Sequence, residues 1–150
     1  MYFLQLTYDV IEKLKDSIES FFENNENDYN FFHPHKFSYD GILRELKSKE
    51  KDYFVFLMDN DNILGYGMLR GWNEGFEIPS LGIIIDNNHR GKKLSIKLME
   101  HLHEIAYKKG CKKIRLGVYS ENKKAISLYN KIGYTFSKLN EHSLLGIKEL

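Results

Sequence analysis

A cation-rich turn in "NNHRGKKLSIKLM" (residues 87–99) is the part of the sequence best suited to bind an anion. It carries Arg90, Gly91, Lys92 and Lys93 between the apolar run "LGIII" and a segment with helical spacing of its apolar residues. Free N–H groups and the dipole at a helix start attract anions, and glycine lets a phosphate approach the backbone. Without an anion, each cation opposes the dipole by roughly 0.3–1 kcal/mol. We therefore predict a phosphate site here, although solvated surface cations would give the same pattern.

The turn does not match the two best-known phosphate-binding loops. A nucleoside-triphosphate loop requires G-x-x-x-x-G-K-[ST], whereas the sequence from Gly91 reads "GKKLS" with no glycine-spaced loop before the lysine. The G-x-G-x-x-G pattern of dinucleotide binding is also absent. The anion must therefore be held in another way.

The elements that position this turn follow from apolar periodicity and turn residues. Helices are predicted at residues 9–22 with Asp9 as N-cap, from Ser38 through Leu46, at 93–110 and at 122–133. Strands are predicted at residues 1–7, 52–59, 63–71, 76–85, 111–120, 134–139 and 142–150.

The order of these elements predicts a mixed sheet. Three consecutive strands from residue 52 to residue 85 are joined by short turns, as in an antiparallel meander. The strand–helix–strand order that follows implies a parallel pair joined by a crossover helix. Pro79 suggests a bulge between Pro79 and Gly82. No linker or repeat interrupts the chain, so we expect one α/β domain over residues 1–150.

Composition excludes several classes of function. A net charge of +1 over 150 residues argues against a protein that coats nucleic acid or an anionic membrane. A single cysteine rules out an intramolecular disulfide, and no signal peptide or run of roughly 20 apolar residues is evident. We therefore expect a cytoplasmic protein without a metal site.

A second motif, "NKKAISLYNKIGYTF" (residues 122–136), has a fixed spacing of polar, apolar and aromatic residues. Together with "IIIDNNHRGKKLSIKLM" (residues 83–99), it resembles the GCN5-related N-acetyltransferase (GNAT) family. Seven positions match the N-x-x-A-x-x-L-Y-x-K-x-G-F/Y pattern: Asn122, Ala125, Leu128, Tyr129, Lys131, Gly133 and Tyr134. The first motif departs from R/Q-x-x-G-x-G/A, because Lys93 and Ser95 stand where the family usually has glycines.

The resemblance implies a GNAT fold of α/β (α+β) class. Its mixed central sheet has about seven strands, with an antiparallel meander and one parallel pair splayed for the cofactor, and four helices flank it. It also implies an acetyl-CoA-dependent N-acetyltransferase, in which a primary amine attacks the thioester directly in a ternary complex. The expected partner is a small-molecule amine, with no nucleic acid and no membrane, and a homodimer is left open.

The resemblance also implies which residues hold acetyl-CoA. The backbone of Ile83, Ile84 and Ile85 is expected to pair with the pantetheine arm like an added strand, and an N–H of this segment to polarise the thioester oxygen. Asn122 is expected to contact the cofactor, although it could simply cap the helix that follows. The amides expected to take the pyrophosphate are those of Arg90, Gly91, Lys92, Lys93, Leu94 and Ser95.

Two catalytic roles follow from the same resemblance. Tyr129 is the expected acid for the leaving thiolate, the alternative being a packing role beside Leu128. Glu77, early on the predicted central strand, is the expected base for the amine, the alternative being an exposed carboxylate. His33 and His35 are further candidates for the base, because an unperturbed histidine has a pKa near 6.5.

The acceptor is predicted from an aromatic, mixed-charge rim. His33, His35, Trp72 and Glu74 are its expected members, and such a rim could hold an amino sugar, which could be nucleotide-linked. A peptide, a polyamine or an antibiotic remains an alternative acceptor. Rival functions are a non-catalytic acyl-CoA-binding module and a nucleic-acid binder that uses the lysines near residue 110.

Overall fold

The computed structural model describes residues 1–30, 34–91 and 93–150. The described strands are β1 (Tyr2–Gln5), β2 (Tyr53–Asp59), β3 (Asn62–Arg70), β4 (Ser80–Ile85), β5 (Lys113–Tyr119), β6 (Thr135–Lys138) and β7 (Ser143–Glu149). The described α-helices are α1 (Tyr8–Glu12), α2 (Lys15–Asn24), α3 (Tyr39–Ser48), α4 (Leu94–Lys108) and α5 (Lys123–Lys131). None of these helices is long and apolar enough to cross a membrane.

All seven strands form one mixed sheet in the order β1-β2-β3-β4-β5-β7-β6. The pairs from β1 to β4 are antiparallel, which confirms the predicted meander. β4 and β5 run parallel and are joined through α4, while β5, β7 and β6 pair antiparallel. The predicted α/β fold with one parallel pair is therefore confirmed.

The parallel pair is splayed, but not through a bulge in β4. Strand β4 keeps an unbroken register against β3, from Ile85 opposite Gly65 to Ser80 opposite Arg70. The bulge predicted between Pro79 and Gly82 is therefore absent, and the register shift of the meander lies between β2 and β3, where Leu64 has no partner in the register. The splay arises because β4 and β5 share a single rung, Ser80 opposite Arg115.

Several element boundaries differ from the predictions. The first predicted helix is two helices, because the backbone at Leu14 turns to φ −110° and ψ 15° between α1 and α2. The hydroxyl of Thr7, rather than Asp9, accepts the N–H of Val10 at the start of α1. Strand β4 begins at Ser80, so the exposed Phe76 lies before it.

Two apolar layers cover the sheet. Helices α1, α2 and α3 bury Ile11, Phe22 and Ile42 on one face, while α4 buries Leu98 and Leu102 on the other. The glycines of β3 let α4 approach closely: a Cβ at residue 67 would lie 3.0 Å from a methyl carbon of Leu98. Close packing on β3 places the start of α4 beside the end of β4.

Three tyrosine hydroxyls of the sheet are paired with histidine rings: Tyr66 with His35 at 2.8 Å, Tyr53 with His101 at 2.9 Å, and Tyr134 with His103 at 2.8 Å. Burial lowers the pKa of both His35 and His103 to about 4. Each of these two rings is therefore neutral at pH 7. In His35 the Nδ1 donates to the carbonyl of Lys36, so its Nε2 accepts the Tyr66 hydroxyl.

The neutral histidines predict a loss of stability in acid. The unfolded chain takes up a proton on each ring as the pH falls below about 6.5, whereas the folded protein keeps His35 and His103 neutral down to about 4. The free energy of unfolding should fall by up to about 1.4 kcal/mol per pH unit for each ring in this window.

Urea denaturation of His103→Gln at pH 6.5 and pH 4.5 measures this effect. Glutamine can still accept the Tyr134 hydroxyl but cannot titrate, so the variant should lose up to about 2.7 kcal/mol less than wild type over this range. His142→Gln, which removes an exposed histidine, is the control and should follow wild type. Equal pH dependence in His103→Gln and wild type would contradict the assignment.

Candidate active site

The splay between β4 and β5 leaves a cleft lined by main-chain groups. Main-chain groups of an antiparallel strand point alternately to its two neighbours. The N–H of Asp86 donates to the carbonyl of Leu64 at 2.9 Å, so the groups of Ile84 also point toward β3. The groups of Ile83 and Ile85 therefore face the cleft.

Three isoleucines are predicted to pair with the cofactor, and this alternation leaves two of them, Ile83 and Ile85, facing the cleft. Ile84 pairs with Tyr66 of β3, and its side chain is buried under α1–α3. The carbonyl of Ile85 accepts a hydrogen bond from Nε of Arg90 at 3.3 Å. The N–H and carbonyl of Ile83 are thus the clearest donor and acceptor for an added extended chain.

The turn after β4 is held by a buried polar network. The Asp86 carboxylate accepts hydrogen bonds from Nδ2 of Asn25 at 2.9 Å and from Nδ1 of His89 at 2.8 Å. The fully buried Asn25 side chain also accepts the N–H of Asn87 at 2.9 Å. Burial raises the pKa of Asp86, but the hydrogen bonds from Asn25, His89 and the N–H of Asn88 outweigh it and lower the pKa overall.

The Arg90 side chain also helps to hold the turn after β4. One nitrogen binds the Ile85 carbonyl, and another forms an ion pair with Asp28 in the segment after α2. Two of the three guanidinium nitrogens are therefore engaged by the protein. The next residue, Gly91, has a φ of 81° in the left-handed region, and Lys92 lies outside the described residues.

Helix α4 begins with unsatisfied amides. Its N-cap is Lys93, whose backbone is left-handed at φ 59° and ψ 21° and whose side chain accepts no amide. The first N–H groups of any helix lack an intrahelical acceptor, and in α4 these include Leu94 and Ser95. The first turn of α4 carries no acidic residue. The chemistry of this donor set fits a diphosphate, even though lysine replaces the usual glycine.

Strand β5 leads into α5 at the other side of the cleft. Asn122 caps α5, because its Oδ1 accepts the N–H of Ala125 at 3.2 Å. Tyr129 is half-buried in the same apolar cluster as Ile83, and its ring lies 6.0 Å from that of Tyr134. Among the residues that the structure describes, its hydroxyl forms no hydrogen bond. Burial raises the pKa of Tyr129, so this hydroxyl stays protonated at neutral pH.

A pocket of about 430 Å³ lies on the face of the sheet that α3 covers, opposite the face that α4 covers. Ser80 and Arg115, which form the single rung between β4 and β5, also line this pocket. The other residues that line it are Pro34, Glu45, Lys49, Asp52, Arg70, Gly71, Glu74, Phe76 and Ile78. The end of the cleft and the pocket therefore share a wall.

The structure brings only some of the predicted acceptor residues to this pocket. Glu74 lines it, 2.8 Å from the ammonium of Lys49. Trp72 does not, because its indole packs with the cluster under α4, 5.2 Å from the Lys109 ammonium. His35 is bound to Tyr66 and to the carbonyl of Lys36, with its neutral ring buried against Phe22. His33 lies outside the described residues.

The predicted base also differs in position. Glu77 lies in an exposed bend before β4 rather than on the strand, because β4 begins only at Ser80. Glu45 of α3 lines the pocket instead, and burial raises its pKa. The sequence signal for Glu45 is its place beside Ile42 and Leu46 on the inward stripe of α3, where a carboxylate is unusual.

Comparisons with known proteins agree with this geometry. The thialysine N-epsilon-acetyltransferase of Mus musculus is 32% identical over 75 residues, which cover 47% of this chain and 44% of that enzyme. This chain thus spans less than half the length of the curated relatives that it matches.

Two solved structures share the fold. The PaiA N-acetyltransferase of Thermoplasma acidophilum, in complex with coenzyme A, has a TM-score of 0.77 at 20% identity and covers 100% of both chains. A mutant of the spermidine N-acetyltransferase SpeG of Vibrio cholerae has a TM-score of 0.73 at 20% identity, covering 99% of this chain and 95% of that one.

The family model described as "Acetyltransferase (GNAT) family" matches residues 12–134. It extends from the end of α1 to the tyrosine that precedes β6, so it includes the cleft, the start of α4 and Tyr129. The predicted family is therefore confirmed. This chain belongs to the GNAT family of acetyltransferases.

Proposed function

We propose that this protein is an acetyl-CoA-dependent N-acetyltransferase that acts on a small-molecule primary amine, within one domain over residues 1–150. The observation that carries the proposal is the single rung between β4 and β5. Ser80 and Arg115 close the cleft on one side and line the pocket on the other. A thioester and an amine bound on the two faces of the sheet would therefore meet at this rung.

The chain's own groups fit the cofactor along the cleft. Ile83 offers an N–H and a carbonyl to an extended arm, and the first amides of α4 offer donors to a diphosphate. Asn122 uses its Oδ1 as a helix cap, which leaves its Nδ2 for a contact across the cleft. When bound, acetyl-CoA supplies an acyl thioester that an amine can attack as the thiol departs.

Tyr129 is proposed as the group that donates a hydrogen bond to the leaving sulfur. Its hydroxyl has no partner among the described residues, and burial keeps it protonated. A phenol of raised pKa is a weaker acid than a thiol, whose ordinary pKa is about 8.5. Its contribution is therefore a hydrogen bond that strengthens as negative charge develops on sulfur.

Glu45 is proposed as the base that prepares the amine, in preference to Glu77. It lines the pocket, whereas Glu77 lies in the exposed bend and is not part of the lining. Burial raises its pKa, and a raised pKa brings a carboxylate closer to the working pH of a general base. His35 is unsuited to this role because its ring nitrogens are already bound to Lys36 and Tyr66.

A small amine is favoured as the acceptor by the size of the pocket, because about 430 Å³ accommodates a small ligand. The relatives act on such amines by name, thialysine in one case and spermidine in another. An amino sugar is less favoured, because Trp72 packs under α4 and is not available for stacking in the pocket.

Replacing Tyr129 with phenylalanine tests the proposed hydrogen bond from its hydroxyl to the leaving sulfur. The variant keeps the ring and its packing, so the Kd for CoA by calorimetry should be unchanged, while kcat should fall about 10²-fold. Tyr134→Phe is the matched control: it removes a neighbouring hydroxyl that is bound to His103, and it should lower stability without lowering kcat. A Tyr129→Phe enzyme with wild-type kcat would remove Tyr129 from the mechanism.

Replacing Lys93 tests whether main-chain amides hold the diphosphate. The left-handed backbone at Lys93 costs a residue with a side chain about 1–2 kcal/mol, and glycine removes this cost. Glycine in turn costs about 0.5–1 kcal/mol in backbone entropy, so the Tm of Lys93→Gly should rise by about 2–4 °C. Lys93→Ala removes the same charge but keeps the strained backbone, so its Tm should not rise.

The affinity of these two variants for CoA gives the second readout. Losing the Lys93 charge should weaken binding by no more than about fivefold in both, because one charge at a helix end contributes about 0.3–1 kcal/mol. Pantetheine, which lacks both the diphosphate and the adenosine joined to it, should bind wild type at least about tenfold more weakly than CoA. Equal affinity for pantetheine and CoA would show that the protein does not bind the diphosphate.

The base is tested by Glu45→Gln beside Glu77→Gln. At pH 7, kcat/KM should fall about 10²-fold or more in Glu45→Gln and change little in Glu77→Gln. Wild-type kcat/KM should fall as the pH drops through the raised pKa of Glu45, because the base must be ionised, and this limb should vanish in Glu45→Gln. A large loss in Glu77→Gln alone would return the role to Glu77.

A further inference from the structure

We infer that the amine acceptor carries a carboxylate, which Arg70 and Arg115 bind in the pocket beside the single rung between β4 and β5. The inference deepens the proposed function and rests on it. It starts from the six charged residues that line the pocket: Glu45, Lys49, Asp52, Arg70, Glu74 and Arg115.

Two of these charges are compensated and one carboxylate is tied to the backbone. Lys49 and Glu74 form an ion pair at 2.8 Å, which also holds the pKa of Glu74 below its usual range. The Asp52 carboxylate accepts the N–H of Trp72 at 3.1 Å and that of Asn73 at 3.4 Å. None of these three groups needs a ligand.

The two arginines form no ion pair of this kind, although the charge of Arg70 offsets part of the rise that burial causes in the pKa of Glu45. No carboxylate lies within 4.0 Å of either guanidinium in the described part of the chain. Arg70 donates from one terminal nitrogen to the carbonyl of Pro34 at 3.2 Å, but its buried Nε has no hydrogen-bond partner among the described residues. An unpartnered buried donor is costly, so a bound acceptor atom would be favourable there.

The charge pattern selects between classes of amine. A polyamine would bring two or more positive charges next to Arg70 and Arg115. Glu45 is the one lining carboxylate that forms no hydrogen bond or ion pair with the described residues, so the pocket offers one carboxylate to an ammonium group. An amine with a carboxylate offers its ammonium to Glu45 and its planar carboxylate to a guanidinium, the geometry that arginine binds best. The apolar side chains of Phe76 and Ile78 at the pocket can contact the alkyl chain between them.

Pairs of amines that differ only in the carboxylate test this inference. We would measure kcat/KM for lysine against cadaverine, and for 4-aminobutyrate against propylamine, with spermidine and glucosamine 6-phosphate in the same panel. The carboxylated member of each pair should be preferred by about 10-fold or more, since a charge-assisted hydrogen bond contributes that factor or more. A preference for cadaverine, spermidine or the phosphorylated sugar would overturn the inference.

Arginine variants locate the effect. In Arg70→Gln and in Arg115→Gln, kcat/KM for the carboxylated amine should fall about 10-fold more than kcat/KM for its partner without the carboxylate. Lys113→Gln, an exposed cation two residues from Arg115 on the same strand, is the matched control and should keep the full preference. Equal loss with both members of a pair would mean that the arginines support the fold and bind no carboxylate.

Binding measurements separate this inference from the proposed function. Calorimetry on the CoA-saturated protein gives the Kd for lysine and for cadaverine without any turnover. Tighter binding of lysine, lost in Arg115→Gln, would uphold the carboxylate site even if no amine were acetylated, and the proposed enzyme activity would then fail alone. Turnover of cadaverine with no preference for lysine would leave the enzyme assignment intact and reject the carboxylate site.

Discussion

The single rung between β4 and β5 is the constraint on which the site depends. Each strand is fully paired on its other side, β4 with β3 and β5 with β7, so the two separate beyond Ser80 and Arg115. A parallel pair in full register would satisfy the main-chain groups of Ile83 within the sheet and leave nothing for a cofactor. Unsatisfied backbone groups are tolerated only where water or a ligand reaches them. The open edge therefore has to be a wet or occupied cleft.

A second constraint fixes where the cleft ends. Asp86 and Asn25 join the turn after β4 to the end of α2, so an element on the other face of the sheet holds the entrance to α4. A buried carboxylate with several hydrogen bonds is rigid, because losing any partner leaves a costly unpaired group. This rigidity is consistent with the left-handed backbone at Lys93, which persists only where its surroundings determine it. The amides of α4 are thus set in place before a ligand arrives.

Local patterns predicted the elements and the family, while tertiary placement decided the rest. The motif around Tyr129 and the strand–helix order depend on neighbours in sequence, so both could be read from the chain. Which isoleucine faces the cleft depends on the register of β4 with β3, which periodicity does not give. The pocket joins α3, β3 and β5 across about 70 residues, so Glu45 and Arg115 carried no shared sequence signal. Trp72 lies outside the pocket lining because the direction of a turn side chain is set by packing, here under α4.

The two-sided site explains how one fold can serve different amines. The proposed cofactor groups lie on β4 and at the starts of α4 and α5, whereas the pocket is built by α3, the end of β3 and the bend before β4. Only the rung of Ser80 and Arg115 belongs to both. Substitutions in the pocket can therefore change the charge that an acceptor meets without moving the diphosphate site. In such a division the fold holds the cofactor, and the charges of the pocket select the amine.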